Sequence, residues 1–207
     1  MSEALNRPPA EIRRALTAAF ARPPESPVPD ADFDALARAI FAWQYENNPP
    51  FAAYCNRRGR QPANVREWTE IPAVPTAAFR EVALVAGPAE QADAVFRTSG
   101  TTRGTERRGE HYIPDIQFYH QSLLPNFAAM LLPDGIQPTM LSLIPPPRDV
   151  PDSSLSHMVA TVMEQLGSRR SAWYMSVANG IDSDGLATAL RDAQETRQPV
   201  CILGTSF

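Results

Sequence analysis

The sequence predicts an α/β protein, with a helical N-terminal region over residues 1–90 and a mainly parallel β-sheet with crossover helices over residues 91–207. Before residue 90, apolar residues recur at helical spacing between prolines, and after residue 94 short β-type runs alternate with helical patterns. The apolar content of 43% and charged content of 20% are those of a folded protein. Strands that alternate with helices are connected by right-handed crossovers, which make the sheet parallel.

Three helices are predicted before residue 60. The first begins at Pro8-Pro9 and ends before Pro23, and the second is capped by Asp30 or Asp32 and ends at Asn48. Their apolar faces recur at helical spacing and comprise Ile12, Leu16, Ala19 and Phe20 in the first helix and Phe33, Leu36, Ala37, Ile40 and Phe41 in the second. Residues 51–58 form the third, and the prolines between Trp68 and Phe79 predict an extended connector.

Strands and helices alternate in the second half. The predicted strands cover residues 94–97, 139–144, 172–176 and 200–203. The predicted helices begin at Asp115, at Asp152 or Ser153, and at residue 183, and the first is kinked or broken at Pro125. The middle helix carries an apolar stripe of Leu155, Met158, Val159, Val162, Met163 and Leu166. Because a parallel strand has neighbours on both sides and the last strand lies near the end of the sequence, we expect an incomplete sheet.

Composition and charge exclude several classes of function. A net charge of −4 does not attract nucleic acid or an anionic membrane, and no apolar run is long enough to cross a bilayer. The N-terminus lacks the apolar core of a signal peptide, so we expect a cytoplasmic protein. Cys55 and Cys201 have no metal-ligand or redox spacing and are expected in the core. All 19 basic residues are arginine, so a Walker-type lysine and a Schiff-base lysine are excluded.

The segment from Thr98 to Gly104 follows a predicted strand and combines hydroxyl groups with two glycines. Glycines let the backbone approach a phosphate closely, and the hydroxyls of Thr98, Ser99, Thr101 and Thr102 are further donors. The nearby positive charges are Arg97, Arg103, Arg107 and Arg108. The alternative is an ordinary surface turn, because Ser, Thr and Gly are also typical turn residues. A serine-hydrolase elbow is disfavoured, since Ser99 is not in a G-x-S-x-G pattern.

The pattern Thr-Ser-Gly-Thr-Thr-x-Gly resembles the phosphate loop of the adenylate-forming superfamily. The chain is most similar to the acyl-protein synthetase (LuxE-type) family, which activates a fatty acid for the reductase of bacterial bioluminescence. This resemblance covers about residues 50–207 and is carried by the segments 68–79, 98–104, 108–111, 152–158 and 203–207.

The resemblance implies a fold of the adenylate-forming N-domain type and the ATP-dependent activation of a carboxylic acid as an acyl-adenylate, with Mg²⁺. It implies that Thr98, Ser99, Gly100, Thr101, Thr102 and Gly104 hold the β- and γ-phosphates. Arg103, His111 and His157 are accessory candidates. His111 is either close to the phosphate segment or solvated, and helical phase places His157 opposite the apolar stripe with Ser154, Thr161 and Glu164.

Relatives of this type carry an aromatic-Gly-x-Thr-Glu segment, a ribose-binding aspartate and a catalytic lysine downstream of the matching region, and these 207 residues contain none of them. We therefore expect the N-terminal part of a ligase that acts on a small carboxylic acid, with either an acyl-acceptor protein or a chain that supplies the missing half as its partner. The alternative is a non-catalytic relative that binds a nucleotide, an acyl group or a partner protein. Neither cysteine matches the family's acyl-accepting cysteine.

Overall fold

The computed structural model describes residues 7–98 and 108–205, and these residues form a mixed α/β protein. They contain six α-helices, namely α1 (Ala10–Phe20), α2 (Asp30–Asn47), α3 (Pro49–Arg57), α4 (Ile116–Leu131), α5 (Ser154–Leu166) and α6 (Ser183–Glu195). The strands are β1 (Ala94–Arg97), β2 (Glu110–Ile113), β3 (Thr139–Ser142), β4 (Ala172–Trp173), β5 (Met175–Ser176), β6 (Gly180–Ile181) and β7 (Val200–Leu203).

The chain divides into two compact units, Met1–Ser122 and Leu123–Phe207. The division falls inside α4, whereas the change in sequence pattern lies near residue 90. The first unit holds the helices α1 to α3 and the strands β1 and β2. The second unit holds the remaining strands together with α5 and α6.

The core of the first unit lies between α2 and α3. Phe41, Phe51, Cys55 and Val65 are buried there, and the rings of Phe41 and Phe51 meet edge to face with their centroids 5.9 Å apart. The free thiol of Cys55 is completely buried, and this burial raises its pKa. Cys55 is therefore the core residue that the sequence predicts.

A three-stranded parallel sheet with the order β4-β3-β7 organises the second unit. The central strand β3 is buried along its whole length because it has a neighbour on each side. Met140 packs with Phe127, Val159, Val162 and Met163, so the apolar stripe of α5 covers one face of the sheet. Cys201 on β7 is half-buried against the same core, and burial raises its pKa.

The helix predictions are largely confirmed, with corrections at the ends. The N-cap of α2 is Pro29, so Asp30 and Asp32 lie in the first turn and neither is the cap. Asn48 follows α2 and caps α3, because its side chain accepts a hydrogen bond from the Phe51 N–H. Pro125 lies within a continuous α4 and does not break it.

Two predictions about connectors and strands are wrong in part. The segment from Trp68 to Phe79 is not wholly extended, because short 3₁₀ helices form at Trp68–Glu70 and Thr76–Arg80. The predicted strand 172–176 is two strands, β4 and β5, separated at Tyr174. The Tyr174 N–H still donates to the Ser142 carbonyl at 2.8 Å, but the Tyr174 carbonyl accepts from the Asp182 N–H, which turns the chain toward β6.

The first predicted strand is not part of the parallel sheet. Instead, β1 pairs with β2 in an antiparallel hairpin, with Ala94 opposite Ile113 and Arg97 opposite Glu110. No strand was predicted between residue 97 and the helix that begins at Asp115, so β2 was missed. The parallel sheet therefore begins with β3, in the second unit.

Candidate functional site

The hairpin of β1 and β2 holds both ends of the segment between Thr98 and Arg108. The Thr98 N–H donates to the Gly109 carbonyl at 2.9 Å, and the Gly109 N–H donates back to the Thr98 hydroxyl oxygen at 3.0 Å. The Arg108 guanidinium donates to the carbonyls of Thr98 and Arg97. These bonds join the start and the end of the segment.

Gly109 is buried at the base of the hairpin. A Cβ atom at this position would lie 3.2 Å from Thr98 Cγ2 and 3.5 Å from side-chain atoms of Phe79 and Arg80. The 3₁₀ helix at Thr76–Arg80 thus packs against the start of β2. A Cβ atom at residue 109 would be in ordinary van der Waals contact with Phe79 and Arg80 and would displace only the Thr98 methyl group by a few tenths of an ångström.

Charge on the hairpin is partly neutralised within it. Glu110 accepts from Arg97 at 2.9 Å and from the Tyr112 hydroxyl at 2.6 Å. The hydrogen bond from Tyr112, followed by that from Arg97, lowers the pKa of Glu110, and the same bond raises the pKa of Tyr112. Arg97 is therefore a weaker candidate for binding an anion than the sequence alone predicts, because a carboxylate already neutralises it.

Most of the predicted phosphate-binding residues lie outside the described residues, namely Ser99, Gly100, Thr101, Thr102 and Gly104, as does the accessory candidate Arg103. Thr98 is described, and its hydroxyl oxygen accepts the Gly109 N–H while its own O–H remains a donor. Thr98 therefore has a structural role in closing the hairpin, whatever the segment binds.

Replacing Thr98 with valine tests that structural role. Valine has the shape of threonine but cannot accept the Gly109 N–H, so we expect the free energy of unfolding to fall by about 1 kcal/mol. Hydrogen exchange at the Gly109 amide should become faster. The matched control is Thr188→Val at an exposed position of α6, with an expected change within about 0.5 kcal/mol. Unchanged exchange protection at Gly109 would contradict the assigned role.

The two accessory histidines lie in different units. His111 is half-buried on β2, opposite Phe96, and its ring stacks on Phe79 with the centroids 4.4 Å apart and the planes 26° apart. His111 is therefore partly enclosed by Phe79, and its role beside the segment stays a prediction.

His157 lies in α5 of the second unit and is half-buried. The predicted division of α5 into a polar face with His157 and an apolar face is wrong at Thr161 and at Leu155. Thr161 is buried, with its hydroxyl donating to the His157 carbonyl at 2.9 Å, whereas Leu155 from the predicted apolar stripe is exposed. Ser156, the residue before His157, is also buried, and its hydroxyl donates to the Pro145 carbonyl at 2.6 Å.

Glu110, Tyr112 and the Phe79-Arg80 pair belong to the site, although sequence reasoning did not select them. The sequence signal for β2 was the pair Tyr112-Ile113, because Tyr and Ile favour strands. The connection between β1 and β2 is longer than the roughly 2–5 residues typical of hairpins, so no hairpin signal accompanied it. The packing of Phe79 and Arg80 on Gly109 had no local sequence signal, since it joins segments about 30 residues apart.

Within residues 7–98 and 108–205, no three His, Cys, Asp or Glu side chains are grouped so that they could hold a metal ion. In the same ranges no helix has the length and apolar character needed to cross a membrane. Comparison of the chain with protein-family models, with curated proteins and with solved structures finds no match.

Proposed function

We propose that this protein takes part in the ATP-dependent activation of a carboxylic acid through an acyl-adenylate, with the acyl group passing to a protein thiol. The observation that carries the proposal is the hairpin, which holds the ends of a segment rich in glycine, hydroxyl and arginine residues. This proposal retains the adenylate-forming N-domain type of fold and the LuxE-type family that the sequence resembles.

In the proposed site, the segment between Thr98 and Arg108 binds the triphosphate. The hydroxyls of Thr101 and Thr102 donate to phosphate oxygens, and the glycines at 100 and 104 let main-chain N–H groups approach them. Arg103 and Arg107 would neutralise phosphate charge, and a Mg²⁺ ion entering as the MgATP complex would supply further neutralisation of the phosphates. Arg108 supports the proposal by ordering the base of the segment, where its guanidinium donates to the main-chain carbonyls of Thr98 and Arg97.

Adenylation itself is a displacement at the α-phosphorus: the carboxylate oxygen forms the new P–O bond and pyrophosphate leaves. The contribution of this chain is to position the β- and γ-phosphates and to neutralise charge on the leaving group. We propose that the adenine contacts and the lysine come from another polypeptide segment, since the sequence contains no lysine.

The alternative is a non-catalytic protein that binds a nucleotide, an acyl group or a partner protein. The same absence of lysine favours this alternative, because adenylate-forming relatives use that side chain in the chemical step. ATP–pyrophosphate exchange with a series of carboxylic acids separates the two when it is measured on the 207-residue chain alone and on the chain supplemented with the lysine-carrying small domain of an adenylate-forming enzyme. Because the proposal places the lysine in another segment, it predicts exchange only in the supplemented sample. Binding of ATP without exchange in both samples supports the non-catalytic alternative, and exchange by the lysine-free chain alone would contradict the proposed division of the site.

The double substitution Thr101→Ala and Thr102→Ala tests the phosphate role. Each hydroxyl would donate to a charged oxygen, so we expect the Kd for MgATP to rise at least about tenfold. Calorimetric titration of MgATP measures this. The matched control is Thr188→Ala with Thr196→Ala, two exposed threonines of the second unit, which should leave the Kd unchanged. Equal affinities of the wild type and the 101/102 variant would leave the ordinary surface turn as the better interpretation of the segment.

A further inference from the structure

The first unit contains an apolar cavity of about 360 Å³, formed by described residues between Pro8 and Ser122. Its walls come from α1, α2, the start of α4, the residues 84–86 and the end of β2. The main apolar side chains are Ile12, Leu16, Phe20, Ile40, Leu84 and Phe118. This volume is at the lower end of the range for small-molecule sites, so the cavity fits a small ligand.

Hydrogen bonds hold the walls of the cavity in place. The Gly87 N–H donates to the Asn47 carbonyl at 2.9 Å, which ties the residues 84–86 to the end of α2. The Arg13 guanidinium donates to Asp115 at 2.8 Å and lies 4.5 Å from the centre of the Phe118 ring, which joins α1 to the start of α4. The cavity is therefore bounded by connected elements of one unit.

Asn48 provides a buried polar group on the cavity wall. Only 6% of this residue is exposed, and its Oδ1 accepts the Phe51 N–H at 3.2 Å as the cap of α3. Because only an oxygen can accept the Phe51 N–H, this bond assigns Oδ1 of the Asn48 amide, and the other terminal atom is Nδ2. Within the described parts of the chain, Nδ2 makes no hydrogen bond. Because buried donors are normally paired, this amide needs an acceptor.

The charges around the cavity favour an uncharged ligand. Among the described residues that line it, the charged ones are Arg13 and Asp115, and they pair with each other. A carboxylate on the ligand would have no free cation to pair with, because Asp115 already neutralises Arg13. Burying such an unpaired charge is costly. An ammonium group would face the same difficulty with Asp115, which Arg7 also approaches at 3.5 Å.

We propose that this cavity binds a small, uncharged, mainly aliphatic molecule with one carbonyl group, such as a ketone, an ester or an amide. The carbonyl oxygen accepts the Asn48 Nδ2–H, and the aliphatic part packs against the apolar walls. The cavity meets β2 at Tyr112 and Ile113, the end of the strand away from Gly109. The proposal is thus independent of the nucleotide site and of the acid-activating function.

Titration of the 207-residue protein with pentan-2-one, n-pentane and pentanoate at pH 7 tests the proposal, followed through the Asn48 side-chain amide signals in ¹H–¹⁵N spectra. We expect saturable binding of pentan-2-one that shifts these signals, and pentanoate binding at least about tenfold weaker. Pentanoate that binds as tightly as the ketone, or a ketone that does not bind saturably, would overturn the proposal.

Two variants locate the ligand. Asn48→Ser keeps a good helix cap but removes Nδ2, so the affinity for pentan-2-one should fall about tenfold while that for n-pentane stays the same. Ala86→Leu fills the cavity from a buried wall position and should abolish binding of both probes, whereas Ala15→Leu adds the same atoms at an exposed site of α1 and should have no effect. An equal loss of ketone and pentane affinity in Asn48→Ser, or retained binding in Ala86→Leu, would refute the assignment.

Discussion

Replacing Leu141 with alanine is expected to lower the free energy of unfolding of the second unit by about 2–5 kcal/mol. Leu141 lies at the centre of β3 and is completely buried, with Ala172 on one side in the sheet and Ile202 on the other. Truncation removes the transfer free energy of the lost methyl groups and leaves a cavity between two fixed neighbours. Urea denaturation followed through amide signals of residues 139–166 measures the effect.

The matched control is Ile202→Ala in the neighbouring strand. Ile202 is the register partner of Leu141 but lies on β7 and is 51% exposed, so we expect a loss of no more than about 1 kcal/mol. The two substitutions remove the same number of atoms from adjacent positions of one sheet. Similar losses for both would mean that β3 is not the buried centre of the sheet.

Replacing Asp115 with asparagine is expected to lower the free energy of unfolding of the first unit by about 1–3 kcal/mol at neutral pH. The carboxylate has only 10% of its side chain exposed, accepts from Arg13 at 2.8 Å, and caps α4 by accepting the Phe118 N–H at 2.9 Å. Asparagine keeps the oxygen that caps the helix but loses the charge that pairs with Arg13 and Arg7. The stability difference therefore reports the ion pairs.

The effect of Asp115→Asn should depend on pH in a defined direction. Burial by itself raises the pKa of Asp115, but the hydrogen bonds from Phe118 and Arg13 and the nearby arginine charges outweigh it, and the pKa lies below its ordinary value. A lowered folded-state pKa stabilises the protein above the unfolded pKa, and this contribution is lost as the pH falls through the folded pKa. Urea denaturation between pH 7 and pH 3 should show the difference between wild type and variant shrinking below about pH 5.

The exposed ion pair of Arg170 and Asp192 is the control for Asp115. Its nitrogen–oxygen distance is 3.2 Å, but the two side chains are 59% and 62% exposed, so Asp192→Asn should change the stability by no more than about 0.5 kcal/mol. A pH-independent difference for Asp115→Asn, or an equally large effect at Asp192, would contradict the role assigned to the buried pair.

Local patterns predicted the helices well because their signals lie within single segments. The apolar spacing between Pro8 and Phe41 and the Ser153 cap with Gly167 at the other end define α1, α2 and α5 to within a few residues. Asn48 shows the limit of such reasoning. It was interpreted as the end of one helix, and the structure uses its side chain to begin the next.

Strand pairing was harder to predict because it depends on partners distant in the chain. The segments 94–97 and 200–203 were both identified as strands, but one lies in an antiparallel hairpin and the other in the parallel sheet. The candidate phosphate segment was proposed from its glycines, hydroxyls and neighbouring arginines together with the family resemblance, and its phosphate role stays a prediction. The packing of Phe79 and Arg80 against Gly109 arises from tertiary contacts that no short pattern encodes. The same is true of the burial of the Asn48 amide, whose Nδ2 makes no hydrogen bond among the described residues.

Because Cys55 is buried, the rate at which its thiol is alkylated reports transient opening of the core of the first unit. An alkylating reagent attacks a thiolate, and this thiol is enclosed by the α2–α3 core and has a raised pKa. Alkylation of Cys55 therefore requires a fluctuation that exposes its thiol to water. The rate of Cys55 labelling under native conditions measures how frequently that core opens, and no cysteine has to be introduced by mutation.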